Sequence, residues 1–255
     1  IAQTFGADIR VPGRFEPPVR EQGLLAIGNS HVVVTPSGFE QYALRAKEIS
    51  AQVLDDKHRT TTLPCAAQNS VAFDEACAGK FFASYGRLLL RRPLTTAELA
   101  SAMDIARRTA ASQGGLVRGV RAGLEQLLVS PAFVFRLETA EADPTRPCAE
   151  RLDAWSLASR ISFLLWDAPP DAELLDAAAS GALHNPAGLN QQIDRLMASP
   201  RLEQGVRAFF SDMLAYDQFS GLSKDPSLFP IFSPQLRNDA QEQSLRTIVD
   251  HLLTR

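Results

Sequence analysis

Long apolar runs are missing from this sequence, and the residues that build metal and redox sites are few. The 255 residues include three cysteines, four histidines and two tryptophans. The strongest apolar burst, 161–166 (ISFLLW), is far shorter than the roughly 18 apolar residues that a membrane-spanning helix needs. We therefore predict no membrane span within the chain.

Positive charge is too scarce for general nucleic-acid binding. The sequence carries 26 lysines and arginines against 29 aspartates and glutamates, with a formal net charge of -3 and a pI of about 5.9. Proteins that bind nucleic acids usually concentrate a positive field on one surface. The composition is instead that of an ordinary globular protein, and we predict no nucleic-acid partner.

The motifs of several common chemistries are also absent. No CxxC, CxxCH or paired-histidine spacing occurs, so the residues support neither covalent haem nor a zinc cage within this chain. No GxGxxG follows a strand, and no serine lies in GxSxG or SxxK. The scattered His31, His58, His184 and His251 are interpreted as polar surface residues. We therefore predict no catalytic, cofactor-binding or metal-binding residue from motifs.

The cysteines leave their pairing open. Cys65 lies in a proline-containing loop and Cys77 lies twelve residues later in a predicted helix. A loop of that length permits a disulfide without requiring one. Cys148 would then be buried, free or paired with a residue outside this chain.

A helix-start signal is what the sequence has in abundance. Proline suits the first helical position because its missing N–H would have no partner there, and a capping side chain suits the residue before it. That pair occurs at Thr35-Pro36, Ser130-Pro131, Asn185-Pro186, Ser199-Pro200 and Ser233-Pro234.

Apolar residues recur at helical spacing between these signals. Thr95 and Glu98 form a candidate capping box, and Gly114-Gly115 ends the helix that they open. Arg151 to Gly181 indicates a long apolar helix, a Pro-Pro corner and a second helix. The other predicted helices cover about residues 36–54, 73–91, 116–129, 186–198 and 200–216, and continue from Pro234.

The predicted fold is all-α, with eight or nine helices in two packed bundles. Residues 1–34 are rich in proline and glycine and are predicted to form an irregular segment over the helical body, with one short strand at 32–34. The polar stretch between Glu138 and Arg151 is the best candidate for a boundary, which gives an N-terminal domain, 1–142, and a second helical domain, 150–255. Because its apolar stripe is still present at 252–253, the second domain is expected to continue beyond this chain.

Arg160 is the main polar oddity of the apolar helix after Arg151. An arginine among leucines must reach solvent or meet a polar partner, and we interpret Arg160 as a buried clamp between helices rather than a clamp for an anionic substrate. Trp155, Trp166 and Phe210 are candidate walls of an apolar pocket, although their helical spacing is typical of an ordinary core.

Two further features stand beside these residues. Asp167 and Asp171 flank the Pro-Pro corner; Asp171 most simply caps the next helix, and paired carboxylates there are only a third hypothesis, that of a hydrolase. The irregular stretch 217–233 contains Phe219, Leu228 and Phe229, and an apolar loop of that kind is expected to pack against something.

Seven blocks of the sequence resemble a known family. In order they are GRFEP, GLLAIGNSHVVVTPSGFEQY, CAGKFFASYGRLLLRRPLTTAE, LLVSPAFVFRLE, LDAWSLASRISFLLWDAPPDAELLDAAASGAL, MASPRLEQGVRAFF and KDPSLFPIFSPQL. They resemble the planctomycete-type, cytochrome-c-associated domains of unknown function, which also occur in multi-domain secreted proteins of proteobacteria.

The resemblance implies a periplasmic or extracellular protein whose partners are a c-type cytochrome or further domains of the same protein. Haem c would lie in a missing segment or a partner, and the whole would be a haem-dependent oxidoreductase. No catalytic residue can be carried over. Export to an oxidising compartment favours a disulfide between Cys65 and Cys77.

Two functional hypotheses follow. The first is a module of a cytochrome-c-linked redox protein that provides a pocket or docking face for a haem domain or partner. The alternative is a non-catalytic binding or scaffolding protein for a polymer or apolar ligand, using Trp155, Trp166 and Phe210 with the apolar loop.

Overall fold

The computed structural model describes residues 1–13, 15–16, 19–25, 33–63, 65 and 72–253. Within these residues the chain forms twelve α-helices, nine of them eight residues or longer, and one two-stranded antiparallel sheet. The prediction of an all-α fold is confirmed. No helix in the described ranges is long and apolar enough to cross a membrane.

The elements follow one another in a simple order. The first seven helices are α1 (Ala2–Phe5), α2 (Pro36–Val53), α3 (Arg59–Thr62), α4 (Glu75–Leu90), α5 (Thr96–Gln113), α6 (Leu116–Leu128) and α7 (Pro131–Val134). The chain then forms β1 (Ala140–Ala142), β2 (Glu150–Leu152), α8 (Ala154–Trp166), α9 (Ala172–Ala179), α10 (Pro186–Met197), α11 (Leu202–Met213) and α12 (Pro234–Leu253). Two 3₁₀ helices, Ala182–His184 and Tyr216–Gly221, precede α10 and follow α11.

Most of the predicted helix starts are confirmed. The side chains of Thr35, Ser130, Asn185 and Ser233 each accept a backbone N–H of the helix that follows them. Thr95 and Glu98 form the predicted capping box. The start predicted at Ser199-Pro200 was wrong, because α11 begins two residues later, at Leu202. A turn precedes it, in which the Leu202 N–H donates to the Ser199 carbonyl at 3.0 Å.

The polar stretch before α8 forms a hairpin that sequence reasoning missed. Ala140 pairs with Leu152 and Glu141 with Arg151, whose guanidinium contacts the Glu141 carboxylate at 2.7 Å. The apolar helix predicted from Arg151 therefore begins at Ala154. Three-residue strands carry too little alternation to be separated from a polar linker.

Contacts divide the chain into two compact units. The first contains Ile1–Glu16, Val34–Ser159 and Pro170–Gly181, and the second contains Pro17–Val33, Arg160–Pro169 and Ala182–Arg255. The stretch predicted to form a linker, between Glu138 and Arg151, lies within the first unit. Where the chain separates into independently folding domains stays a prediction. The strand predicted at 32–34 falls partly outside the described residues, and 33–34 are not in a strand.

Small residues let α5 and α6 approach closely in the first unit. A Cβ atom built on Gly119 would lie 2.4 Å from the Ala106 carbonyl oxygen. One on Gly123, a turn later, would lie 3.0 Å from the Ala102 carbonyl oxygen and 2.3 Å from the Phe82 ring. The two alanines are fully buried. Backbone therefore meets backbone along this pair of helices, and no larger side chain fits between them.

The core of the first unit surrounds this contact. α6 buries one complete face, and its stripe meets aromatic residues of α4 and aliphatic residues of α2. Its large members include Leu116, Val120, Leu124, Leu127, Phe81, Phe82, Ile49 and Val53. Burying a side chain of this size contributes about 1.5–3 kcal/mol each. The disulfide between Cys65 and Cys77 is confirmed, and it ties residue 65 to this core at the start of α4.

The second unit repeats the close approach at one position. A Cβ atom on Gly205 of α11 would lie 2.1 Å from the Leu165 carbonyl oxygen near the end of α8. Arg20 joins the irregular N-terminal segment to the same helix, since its Nη1 donates to the Asp212 carboxylate at 2.9 Å. The same carboxylate accepts the Leu25 N–H at 2.8 Å.

Replacing Gly119 by alanine is expected to destabilise the protein, because the new methyl group must displace a backbone carbonyl. We expect a loss of about 1–3 kcal/mol in the free energy of unfolding, measured by urea denaturation. Gly79→Ala is the matched control: Gly79 also lies inside a helix, but a Cβ atom there would meet nothing within 4 Å. The control is expected to be neutral or to stabilise by about 0.5–1 kcal/mol. Equal effects at both positions would contradict the close approach.

Removal of the disulfide is expected to cost about 3 kcal/mol, because the unfolded chain regains the entropy of an open loop of this length. The double variant Cys65→Ser/Cys77→Ser should therefore melt well below the oxidised wild type. Cys148→Ser, which replaces the exposed free cysteine, should leave the melting temperature unchanged. If reduction did not lower the melting temperature of the wild type, the predicted contribution would be wrong.

Candidate functional site

Trp166, a candidate pocket wall, is an interior residue of the second unit. It is 2% exposed, and its Nε1–H donates to the Leu196 carbonyl at 2.9 Å. The Arg201 guanidinium lies over its ring at 4.0 Å from the centroid. With its N–H satisfied and a cation over its ring, Trp166 connects the end of α8 to the end of α10 and the turn before α11.

Arg160 does not have the burial predicted for it. Its side chain is exposed, and so is Leu164 one turn later, at 71%. α8 directs Ala158, Ile161 and Ser162 inward instead. The predicted burial of Arg160 was wrong, because the residue lies on the solvent face of its helix. Its part as a clamp between helices stays a prediction.

The two remaining aromatic candidates fall in different units. Trp155 is half-buried in the first unit. Phe210 is half-buried in the second, where its ring meets that of Phe209 edge to face at 5.1 Å. Their part in a binding pocket stays a prediction.

A buried arginine clamp does exist, but at Arg91. This residue ends α4 in the left-handed conformation, with φ of 60°, and its side chain is buried. Its Nη2 donates to the carbonyls of Ala132 and Phe135 at 2.6 and 2.8 Å. Burial lowers the pKa of Arg91, and the nearby Arg136 and Arg92 lower it further. Carbonyl oxygens around α7 thus satisfy this guanidinium. In the sequence, the Arg91-Arg92-Pro93 end of the predicted helix was the one feature that marked this residue.

The carboxylates near the Pro-Pro corner serve structure. Asp171 accepts the Leu174 N–H at 2.9 Å and caps α9, as predicted. Asp176, one turn further along α9, pairs with Arg87 at 2.6 Å. A pair of catalytic carboxylates at this corner stays a prediction.

Sequence reasoning missed a charged cluster around His58 in the first unit. Its two ring nitrogens each lie 2.8 Å from a carboxylate oxygen, one of Asp8 and one of Asp55. The Asp8 carboxylate also accepts a hydrogen bond from the Lys57 ammonium at 2.6 Å. Asp55 further accepts the backbone N–H groups of Lys57 and His58. An aspartate that accepts these N–H groups forms a local turn, and the sequence DDKH could have predicted that turn.

The electrostatics of this cluster favour an ionised His58. Hydrogen bonding to Asp8 raises the pKa of His58 against the effect of desolvation, and Asp55 raises it further. The hydrogen bonds from Lys57 and His58 hold the pKa of Asp8 well below its usual range. A doubly protonated imidazole donates from both nitrogens, which suits an ion pair and not a general base. The cluster therefore anchors the segment around Asp8 to the connection between α2 and α3.

No group of metal-ligating residues forms within the described ranges. His251 contacts a carbonyl of its own helix, that of Thr247 at 3.1 Å, and the ring of His58 is used by its two carboxylates. His31 lies outside the described residues. These contacts build no metal centre around His58 or His251.

The clearest surface feature is an apolar loop in the second unit, defined as residues 222–232. Leu228 and Ile231 are 72% and 84% exposed, and Phe229 is exposed as well. What these three side chains pack against stays a prediction. Phe232 is half-buried, so the loop turns one aromatic inward and the others outward.

The loop is held by its own hydrogen bonds. Asp225 accepts the Ser227 N–H at 2.8 Å through its side chain and the Phe229 N–H at 2.9 Å through its carbonyl. The Lys224 ammonium lies over the Phe229 ring at 5.5 Å from the centroid. On α11, Phe209 and Met213 are exposed one turn apart. The second unit thus displays apolar side chains on both a helix and a structured turn.

The His58 cluster makes stability depend on pH in a defined direction. A raised folded pKa means that the contribution of His58 is fully present below its unfolded pKa of about 6.5, and is lost as the pH rises through the folded value. The melting temperature of His58→Gln should therefore fall furthest below that of wild type at about pH 6, and the gap should narrow toward about pH 9.

Asp8→Asn supplies the control for this pair. At about pH 6 the double variant should lose less melting temperature than the two single variants added together, because each single substitution removes the same interaction. A gap that widened with pH, or strictly additive effects, would contradict an ionised His58.

Comparison with known proteins finds family matches for two regions of the chain. Residues 77–138 match the model described as PSD5, a protein of unknown function (DUF1595), and residues 152–255 match PSD4, a protein of unknown function (DUF1592). No curated protein and no solved structure matches the chain significantly. The chain therefore carries two of the planctomycete cytochrome-c-associated domains of unknown function, DUF1595 followed by DUF1592.

Proposed function

We propose that this chain is an exported module of a cytochrome-c-linked redox protein, and that its second unit provides a docking face for a haem domain or partner. The observation that carries the proposal is the apolar loop, whose Leu228, Phe229 and Ile231 side chains are exposed. The assignment to cytochrome-c-associated domains supports the choice of partner.

Exposed apolar side chains of this size are costly unless a partner covers them. Contiguous apolar surface on a soluble protein commonly marks a binding site. Because Asp225 fixes the turn by hydrogen bonds, the loop presents these side chains with little further loss of conformational entropy on binding. Interfaces gain most of their energy from a few buried apolar anchors, and Phe229 and Ile231 suit that role.

We place the haem outside this chain. The sequence has no CxxCH, and the ring nitrogens of His58 are used by carboxylates. In this proposal haem belongs to the partner, and the chain contributes a binding surface.

Export is supported by the disulfide between Cys65 and Cys77. Such bonds persist in the periplasm and outside the cell, and they are rare in the reducing cytosol. The bond fastens residue 65 to a buried cysteine of α4, so its integrity is coupled to the core of the first unit.

Capture of a haem protein tests the proposal directly. The tagged chain would be incubated with a periplasmic extract of its native source, and the retained fraction would be examined for haem absorbance and covalently bound haem c. We expect wild type to retain a c-type cytochrome. Leu228→Ser/Ile231→Ser should retain at least about tenfold less, because two exposed anchors are removed without disturbing the core.

Leu44→Ser/Leu137→Ser is the matched control. These two leucines are also exposed, but they lie in the first unit. This variant should capture as much haem protein as wild type does. A colourless fraction from wild type, or equal losses in the two double variants, would overturn the docking proposal.

The alternative, binding of a polymer or apolar ligand, stays a hypothesis. Since Trp166 is buried and its N–H is satisfied, a ligand that contacts indole directly would quench Trp155 first. Ligand-dependent quenching that survives Trp166→Phe but not Trp155→Phe would favour this alternative.

A further inference from the structure

A small basic cleft lies on the first unit. Its volume is about 350 Å³, within the range of sites that hold small ligands. Three helices line it: α2 contributes Lys47, α5 contributes Thr109 and Gln113, and α6 contributes Arg118, Arg121, Ala122 and Glu125. We refer to these seven residues as the basic cleft.

Helical spacing brings these side chains together. The four residues of α6 recur at steps of three and four, so they lie along one face of that helix, and Thr109 and Gln113 lie one turn apart on α5. α6 packs against both α5 and α2, and Lys47 of α2 therefore reaches the same opening. The cleft is thus positioned by the same close helix packing that builds the core.

Positive charge in the cleft exceeds negative charge by three side chains to one. Among the described residues, the Lys47 ammonium meets no carboxylate. The Arg118 guanidinium donates to the Gln113 carbonyl at 2.6 Å, and no carboxylate of the described ranges pairs with it. Arg121 lies 3.4 Å from Glu125, and that carboxylate oxygen also accepts the Ser50 hydroxyl at 2.9 Å.

This concentration of cations is unusual for a chain with a formal net charge of -3. Cations held close together repel one another, so an anion of matching size would lower the energy of the cluster. Thr109 adds a hydroxyl and Gln113 an amide, and both can donate hydrogen bonds to oxygen. Of the seven described residues that define the cleft, Ala122 is the one with an apolar side chain, so the lining is mainly polar.

We propose that the basic cleft binds a small polar oxyanion with about two negative charges, of the kind carried by a phosphate monoester. Arg118 and Arg121 would hold the oxyanion by charge-assisted hydrogen bonds, and Lys47 would act as a point charge on the opposite helix. The remaining volume accommodates a small hydroxylated substituent beside the anionic group. The proposal rests on the first unit alone and does not depend on the apolar loop.

Titration with inorganic phosphate, sulfate and pyrophosphate at low ionic strength tests the site. Amide resonances of the intact chain would be followed by NMR, and affinity would be taken from the same titration. We expect saturable shifts at Thr109, Gln113 and Ala122. Lys47→Gln should weaken binding about two- to fivefold, as the loss of one exposed cation predicts.

Glu125→Gln provides a test of opposite sign. Removing the only carboxylate of the cleft should strengthen binding by about the same factor, while the amide oxygen still accepts the Ser50 hydroxyl. Arg108→Gln is the matched control, because Arg108 is an exposed cation of α5 that pairs with Asp104 at 2.8 Å. This variant should bind like wild type.

The possible results of this titration either support the site or overturn it. Saturable binding of any of the three probes, with a decrease in Lys47→Gln and an increase in Glu125→Gln, supports the site, and the tightest probe identifies the oxyanion that the cleft prefers. Lys47 is exposed, and its ammonium has no ion pair or hydrogen bond within the described ranges, so this variant keeps the fold. Shifts located elsewhere, no saturation, or equal losses in Lys47→Gln and Arg108→Gln would overturn the proposal.

Discussion

Backbone contact between helices at glycine is the constraint on which both units depend. Gly119 and Gly123 bring α6 against the carbonyl groups of α5, and Gly205 brings α11 against the carbonyl of Leu165. A methyl group at any of these positions would overlap a main-chain or ring atom, which helices accommodate only by moving apart. The rest of the packing follows from this distance. The basic cleft exists because α6 lies so close to its neighbours, and Trp166 reaches the end of α10 beside the contact at Gly205.

Polar contacts fasten the segments that have no apolar stripe. Arg20 and Asp212 join the N-terminal segment to α11, and Asp8 joins its earlier part to His58. Arg91 uses carbonyl oxygens instead of a carboxylate, which satisfies a buried guanidinium without a second buried charge. Each of these groups has its partner far away in sequence. Such pairs cannot be inferred from spacing, because no local rule relates residue 20 to residue 212.

The two proposed binding surfaces differ in physical character. The apolar loop offers exposed Leu228 and Ile231 on a hydrogen-bonded turn, which suits a protein partner that excludes water. The basic cleft offers Lys47 and Arg118 around a small polar opening, which suits a charged ligand in solution. They lie in different units, so one surface could be lost without the other.

The fold class and many of the helix starts could be predicted because their causes are local. Proline after a capping side chain and the pairing of Thr95 with Glu98 satisfy the first N–H groups of a helix within four residues. The hairpin at 140–152 could not be predicted in this way, since its strands are too short to show alternation. Arg160 shows a second limit, because apolar neighbours in sequence did not place it among apolar neighbours in space.

The sequence by itself determined that the chain is helical, where most helices begin, and which family of domains it carries. It also contained the Cys65 and Cys77 pair, although export, inferred from the resemblance, was needed to favour their bond. Only the tertiary structure decided which side chains face solvent, which arginine is buried and which cations share an opening. Exposure and charge clustering depend on the packing of elements distant in sequence, and this packing is set by atomic contacts such as those at Gly119 and Gly205.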